Sequence, residues 1–557
     1  MSTSQLGFAT KLNLRAEGHP AAAKLVNEVV RSPRRAIYYQ NAFRKERHRT
    51  RKMSGEEALS VMVEAKLTRH QYNIIRAKDP ERFPSYKVVQ NAKKMCYPKK
   101  EEMHVTDSSA EVTLQALMDH TVDRLVLAQK EVILTLNEEQ LRNLCLICKW
   151  GFDGSSGHSS YKQNFVGMEA DDSSVFITSV VPIQLVCECS SKKIVVWQNP
   201  RSSSTRYCRP IKFEYKKEST QVSEAEKHRV DTLIQALCRS IINIEEKVVE
   251  VSHKLIFTMV DGKVCNALTN TTSSQRCYIC GASSKDFNEI EKLLLRPYNP
   301  SALQFGLSVL HCWIRSFECL LHIAYRLPIQ KWKICKEDKD IVAANKVQIQ
   351  KKFRNQMGLI VDQPKPGFGN SNDGNTARRF FSNEGVASEI LGVDKLLIEK
   401  MHSILVAISS GYDIHIENFR AFTLDTAKYF VDLYPWYYMP PTVHKLLIHG
   451  PDVVHSALLP IGQLTEEAQE ARNKDFKTYR EHFSRKCSRK KCNEDVLNLL
   501  LITSDPLITS LRQMPKKTVR TLPKEVFDLI IAPNVFNDEN SNILISDDEI
   551  ESDENDF

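Results

Sequence analysis

Two apolar runs in this chain close in the same way: LCLICKWGFDG ends at Asp153 and HKLIFTMVDG ends at Asp261. Between them the text keeps to short pieces, SVFITSVVPIQLVC, KKIVVWQNP and RPIKFEYKKES, each apolar or alternating and bounded by turn residues, so each reads as a strand. A helical stretch, SEAEKHRVDTLIQALCRSIINIEEK, then precedes KLIFTMVD, with Val230, Leu233, Ile234, Leu237 and Ile241 expected on its apolar face.

Strands, a helix and a further strand is the order of an α/β RNase H-like sheet, in which the first and fourth strands are neighbours. Beyond the carboxyl ends of adjacent central strands, side chains converge on one crevice. Asp153 and Asp261, 108 residues apart (261 minus 153), are therefore expected side by side. Two carboxylates so close repel each other unless a cation lies between them. Mg²⁺ suits that place, because it binds one or two carboxylates together with phosphate oxygens, and two ions clamp both oxygens of an in-line phosphoryl displacement. Taken singly, each aspartate is also the first half of a DG turn pair.

The 557 residues and 42% hydrophobic content suffice for two to four domains with a substantial core. A net charge of +9 understates how basic the body is, because SDDEIESDENDF at the end is a block of acid. Such a balance favours a polyanion such as nucleic acid. The 15 cysteines occur as singles and short pairs with no secretory signal ahead of them, which argues against a disulfide framework. No apolar run reaches the roughly 18 to 20 residues that span a bilayer, so a soluble, intracellular chain without a membrane partner is expected.

Residues 1–55 read as a basic arm (RSPRR, RKERHRTRK), either a solvated tail or a nuclear import or DNA-contacting segment. Residues 56–140 read as helical: SGEEALSVMVEAKL opens on a capping serine, and LTRHQYNIIRAKD follows closely, as in a helix-turn-helix or a small bundle. Residues 141–275 hold the first part of the α/β core, 276–455 a helical insertion, 456–512 a final core helix, and 513–557 a C-terminal segment with the acidic tail. In the insertion, the Trp313, Phe317 and Leu320 stripe is expected to pack as core, and Arg378 and Arg379, after the loop QPKPGFGNSNDGN, are phosphate-contact candidates.

Cys277 and Cys280 form a CxxC, half of a tetrahedral zinc site. His444 and His449 in VHKLLIH are five apart, which on an α-helix leaves them roughly 140° out of line. The prolines before and Gly450 and Pro451 after predict that the helix stops there and lets the His449 ring swing back. The pair then either completes a Cys₂His₂ site or is two ordinary histidines. A last helix is expected from about Gln463 to Phe483, carrying Glu466 at its start and Glu470, Asn473, Lys477 and Arg480 on one face, with metal at one end and phosphates along the rest.

The ordered set FDGSSGH, VDGKVCN before CxxC, DGNTARRF, HKLLIH and IGQLTEEAQEARNKDF resembles the Transib superfamily of cut-and-paste DNA transposases and the related catalytic core of the V(D)J recombinase subunit, over residues 55–512. The resemblance implies a DDE enzyme with an RNase H-like core. Asp153, Asp261 and Glu466 would hold two Mg²⁺ or Mn²⁺ ions, with Glu467 the alternative third acid, and Cys277, Cys280, His444 and His449 would hold structural Zn²⁺. Arg378, Arg379, Asn473, Lys477 and Arg480 would contact DNA. It also implies an N-terminal DNA-binding and dimerisation region, a homodimer in the nucleus, and nicking and hairpinning of double-stranded DNA at terminal inverted repeats followed by joining to target DNA. A domesticated DNA-binding protein without cleavage activity is the alternative.

Overall fold

A computed structural model describes residues 2–32, 34–39, 51–158, 165, 171–189, 193–365, 369–513 and 522–531. The basic stretch at 44–50 and the acidic tail lie outside these. The chain divides into two compact units, Met1–Ala92 and Lys93–Phe557.

In the first unit the opening residues are two helices where the sequence reading expected a basic arm. Thr3–Ala16 begins with a capping box between Ser2 and Gln5, and Pro20–Arg31 follows, with Pro20 tolerated because the first helical N–H has no partner anyway. Gly55–Glu64, Arg69–Lys78 and Tyr86–Lys94 come next. Ser54 caps the first of these in a capping box with Glu57, as its sequence suggests. Leu59, Met62, Tyr72 and Val89 form their core, and the Tyr72 hydroxyl donates to Pro84 O at 2.8 Å.

The second unit is mixed α/β. One eight-stranded sheet is built from β1 (Met103–Val105), β2 (Ser109–Val112), β3 (Leu144–Ser156), β4 (Ser174–Cys187), β5 (Ile194–Gln198), β6 (Arg209–Glu214), β7 (Ser240–Ile244) and β8 (Lys247–Met259). Its order is β1-β2-β6-β4-β3-β8-β7, with β5 paired to the far end of β4. β3 runs antiparallel to β4 and parallel to β8, so the strands that end toward Asp153 and Asp261 are neighbours. β4 is buried along its whole length and β3 from Leu144 to Phe152, which is why both read as nearly unbroken apolar text. Trp150 and Phe257 face each other across the β3–β8 pair with centroids 4.6 Å apart.

The helix after β6 is shorter than its sequence pattern suggests. It spans Thr220–Gln235, and Ser240–Ile244 leaves it to form β7, hairpinned onto β8 through Glu245 in left-handed backbone. The β-branched run Ile241–Ile242 favours a strand, and Ile241 is 65% exposed where the helical reading put it on the apolar face.

The residues after β8 are mainly helical, with two short strand pairs, Pro364–Lys365 with Gly369–Asn370 and Asp413–Ile414 with Ile530–Ile531. Val309–Arg326 is the central helix, and Trp313, Phe317 and Leu320 are buried on it. Among the described residues no helix is long and apolar enough to cross a membrane.

Candidate functional site: an acidic cleft and a Cys/His cluster

The parallel pairing of β3 with β8 sets the two aspartates level. Gly151 is in register with Met259, and each aspartate lies two residues further on (153 minus 151, and 261 minus 259). Asp153 is still in β3, whereas Asp261 has left β8 and caps the helix Gly262–Leu268 by accepting from Val264 N at 2.8 Å. Both are half-buried.

A third element reaches them. The helix Glu467–Thr478 is fixed to the sheet by buried polar groups. Gln469 donates to Ile177 O at 3.1 Å, Arg472 Nη2 donates to the carbonyls of Thr205 and Cys208, and Lys149, fully buried in β3, donates to Thr465 O at 2.6 Å. Each would leave a buried group unsatisfied if it moved, so the helix is held in one register against β3 and β4. Asn473 then donates to Asp153 Oδ2 at 2.6 Å.

Burial, followed by the negative charges of Asp261, Glu218 and Glu470, pushes the Asp153 carboxyl up to about 8, with His311 opposing. Burial also raises Glu218, against its contact with Lys263 at 3.1 Å, and raises Glu470. Four carboxylates therefore bear on one place. Glu218 does not stand out in the sequence, where it is one acid among many on polar text, and Glu470 is expected there only as a member of the helix face it shares with Asn473, Lys477 and Arg480.

Glu466 sits differently. It is 5% exposed, precedes the helix as its N-cap residue, and accepts from the Ser308 hydroxyl and from His311 Nδ1 at 3.0 Å. Burial would raise it, but the hydrogen bond and charge of His311, with Ser308, hold it below the usual range. Burial likewise opposes charge on His311, yet the Glu466 hydrogen bond and charge, with Asp261 and Glu470, lift it to about 9. The two shifts agree on an ion pair, imidazolium with carboxylate, beside the acids. Glu467 faces elsewhere and pairs with Arg378. Among the described residues, no three carboxylates bring their oxygens as close together as the Cys/His ligand atoms described below.

A cavity of about 720 Å³ opens on Asp261, Glu218, Ser308 and His311, and Lys263, Arg276, Arg315 and Lys445 also line it. The five residues expected to touch DNA divide. Arg480 is 3% exposed and paired with Asp172 at 3.0 Å, beside Arg489, which pairs with the same carboxylate. Arg480 lies in a π-helical turn, Tyr479–Phe483, where the sequence suggested continuous α-helix. Arg378 and Arg379 lie on the helix Gly374–Phe381, Arg378 bound to Glu467 and stacked over Trp313, and Arg379 donating to Met357 O at 3.0 Å. Asn473 holds Asp153, and Lys477 is half-exposed on the same helix.

Cys277, Cys280, His444 and His449 converge in the mainly helical part that follows β8, with one potential ligand atom from each within 4.8 Å of the others, all four residues buried. The CxxC forms a tight knuckle: Gly281 N donates to Cys277 O at 2.7 Å, and Gly281 takes the φ of +67° that a side chain would resist. The two histidines meet for a reason the sequence reading did not supply. The helix does not stop at Gly450; Pro441–His444 passes into a π-helical turn, Lys445–His449, and on into Gly450–Ser456. A π turn bonds i to i+5, so residues five apart stack on one face. Pro451 lacks an N–H for the carbonyl four residues back, which favours the widened turn at this point. His444 stacks on Phe287 at 4.1 Å, and its Nε2 lies 3.4 Å from Cys280 Sγ.

His444 Nδ1 and His449 Nε2 are buried without hydrogen-bond partners. The Cys280 hydrogen bond and burial push the Cys277 thiol up, while Cys277 and the histidines hold Cys280 well down, a thiol–thiolate pair facing neutral imidazole. Two sulfurs, two imidazoles and mutual distances of this size match tetrahedral zinc. The cluster can hold that ion.

No family model matches the chain, and no curated protein matches it. Among solved structures it is similar to the Drosophila P element transposase strand transfer complex, with 9% identity and a TM-score of 0.32 over 84% of this chain and 98% of that chain.

Proposed function

We propose that this chain is a DNA-cutting enzyme of the DDE transposase type, with an RNase H-like core that binds two Mg²⁺ or Mn²⁺ ions and a helical insertion held by zinc. The observation that carries the reading is Asp153. Its carboxyl is held protonated to about pH 8 by burial and by Asp261, Glu218 and Glu470, a crowding of negative charge that divalent cations relieve.

In this reading Asp153, Asp261 and Glu470 are the cation ligands. Glu470 is exposed and acts on Asp153, whereas Glu466 is enclosed and committed to His311 and Ser308. The ions supply an activated water and neutralise the phosphate. The chain's own part is positioning. Asn473 fixes the Asp153 carboxylate, and Glu466 and Ser308 hold His311 as a cation beside the developing negative charge. Water would displace a 3′ oxygen from phosphorus to nick one strand. The freed 3′ hydroxyl would then displace its counterpart in the opposite strand, leaving a hairpin. The substrates are duplex DNA at terminal inverted repeats and target DNA, met in the nucleus by a homodimer that synapses two ends.

The test is nicking and hairpin formation on a duplex carrying the ends that flank the gene, with Mn²⁺ present. Asp153→Ala is expected to abolish cutting and keep DNA binding. Cutting that survives this change rejects the site.

A further inference from the structure

Each of the two segments that carry the Cys/His cluster also delivers one side chain to the acidic cleft. Tyr278 stands between Cys277 and Cys280, and Lys445 directly follows His444. Both line the same cavity as Asp261, Glu218 and His311. Lys445 Nζ lies 4.3 Å from the centroid of the Tyr278 ring, and 3.8 Å from where a Cβ on Gly262 would stand, one residue past Asp261.

The setting of this ammonium is unusual for a lysine beside several acids. Lys263 is paired with Glu218 and Arg315 with Glu318, but among the described residues Lys445 has no ion-pair partner and rests on an aromatic face. That face orients the charge without consuming its three N–H donors. The ring is itself fixed: Tyr278 is 8% exposed, packs edge-on against Phe305 with centroids 6.1 Å apart, and is flanked on both sides by cluster residues. Lys445 is the first residue of the π turn that aligns His444 with His449. A cation held at the edge of a carboxylate cleft, with donors to spare, suits an anion that enters with the divalent ions.

We propose that Lys445 contacts a backbone phosphate of DNA bound at the acidic cleft, and that the Cys/His cluster, through Tyr278 and the π turn, fixes where Lys445 stands. The proposal rests on the DNA-cutting reading above. It gives the cluster a part in substrate binding as well as in folding, because ligand and phosphate contact are adjacent residues in one turn.

The test uses the full chain and a nicked duplex oligonucleotide, with binding followed by fluorescence anisotropy across a salt series and zinc content measured in parallel. Lys445→Gln is expected to keep the zinc of the wild type, weaken binding, and lower the slope of log affinity against log salt by about 0.9, the loss of one phosphate contact. Lys445→Arg is expected to restore most of that slope. Tyr278→Leu, which leaves all four ligands in place, is expected to weaken binding in the same direction. Wild-type slope and affinity in Lys445→Gln would overturn the phosphate contact and leave the cutting site standing. Wild-type binding in Tyr278→Leu would overturn the link to the cluster. A wild-type chain that ignores the duplex at every salt concentration would overturn the DNA reading itself.

Discussion

Gly151 and Met259 approach so closely across the β3–β8 pair that a Cβ on Gly151 would lie 2.0 Å from the Met259 carbonyl oxygen. The register shifts at this point, between Trp150 and Gly151, and the two aspartates follow immediately. Backbone cannot yield as a flexible side chain can. Gly151→Ala is therefore expected to cost about 3 kcal/mol and to separate Asp153 from Asp261. Denaturant unfolding measures the first effect and Mn²⁺ titration the second; an alanine variant with wild-type stability and Mn²⁺ affinity would show that the contact is not needed.

Asp153 makes the ion-free protein sensitive to pH. An aspartate titrates near 3.9 in the unfolded chain and is pushed up to about 8 here, so the folded chain holds this proton where the unfolded chain has lost it. Its contribution to stability is full below about pH 4 and is lost as pH rises toward 8. In chelator, Asp153→Asn is expected to flatten that part of the stability curve and to be more stable than wild type at pH 8. Parallel pH curves for the two proteins would mean that Asp153 is not held in this way.

Much of this sheet is legible in the sequence: burial on both faces leaves β3 and β4 as nearly unbroken apolar runs, while β5, β6 and the end of β8, partly exposed, stand where shorter apolar or alternating pieces stand. β7 is not legible: Ile241 continues the 3.6-residue pattern of the preceding helix by coincidence, and only its partner Glu250 across the hairpin fixes it as strand. The acids show the same division. Asp153 and Asp261 follow from the ends of two apolar runs, a local signal, although β3 itself continues past Asp153 to Ser156. The choice among Glu466, Glu467 and Glu470 depends on Ser308, His311 and Arg378, partners from about 90 to 160 residues away that no spacing rule reaches. The histidine pair is an intermediate case, since the spacing is visible while the π turn that makes it workable is not.

The Cys/His cluster predicts a metal content. The purified chain is expected to carry zinc, and Cys280→Ser to lose it with a fall in melting temperature. A gentler probe is Phe287→Ala, which removes the ring stacked on His444 at 4.1 Å and leaves all four ligands. Loss of an outer support of this kind is expected to weaken zinc about tenfold. Competition with a chromogenic chelator reads both changes. Zinc retained at wild-type affinity in Cys280→Ser would exclude the cluster as the site.

Glu466 and Glu470 are four residues apart and differ in what encloses them, and that difference separates their roles by experiment. Glu466 is buried and forms an ion pair with the half-buried His311, so Glu466→Gln leaves that imidazolium without its counter-charge. The expected cost is about 2 kcal/mol of stability, the worth of a hydrogen bond between charged groups, and His311, raised to about 9 largely by Glu466, should titrate at lower pH by NMR. Glu470 reaches solvent, yet the protein packed around its carboxylate and the nearby Glu466 charge raise it, so neutralising it relieves repulsion. Glu470→Gln is expected to leave the ion-free fold intact or slightly more stable, to weaken Mn²⁺ binding by tenfold or more (about 1.4 kcal/mol), and to abolish cutting. The reverse pattern, Mn²⁺ affinity lost in Glu466→Gln and kept in Glu470→Gln, would return the third ligand to Glu466 and make the His311 contact a feature of the ion-free state.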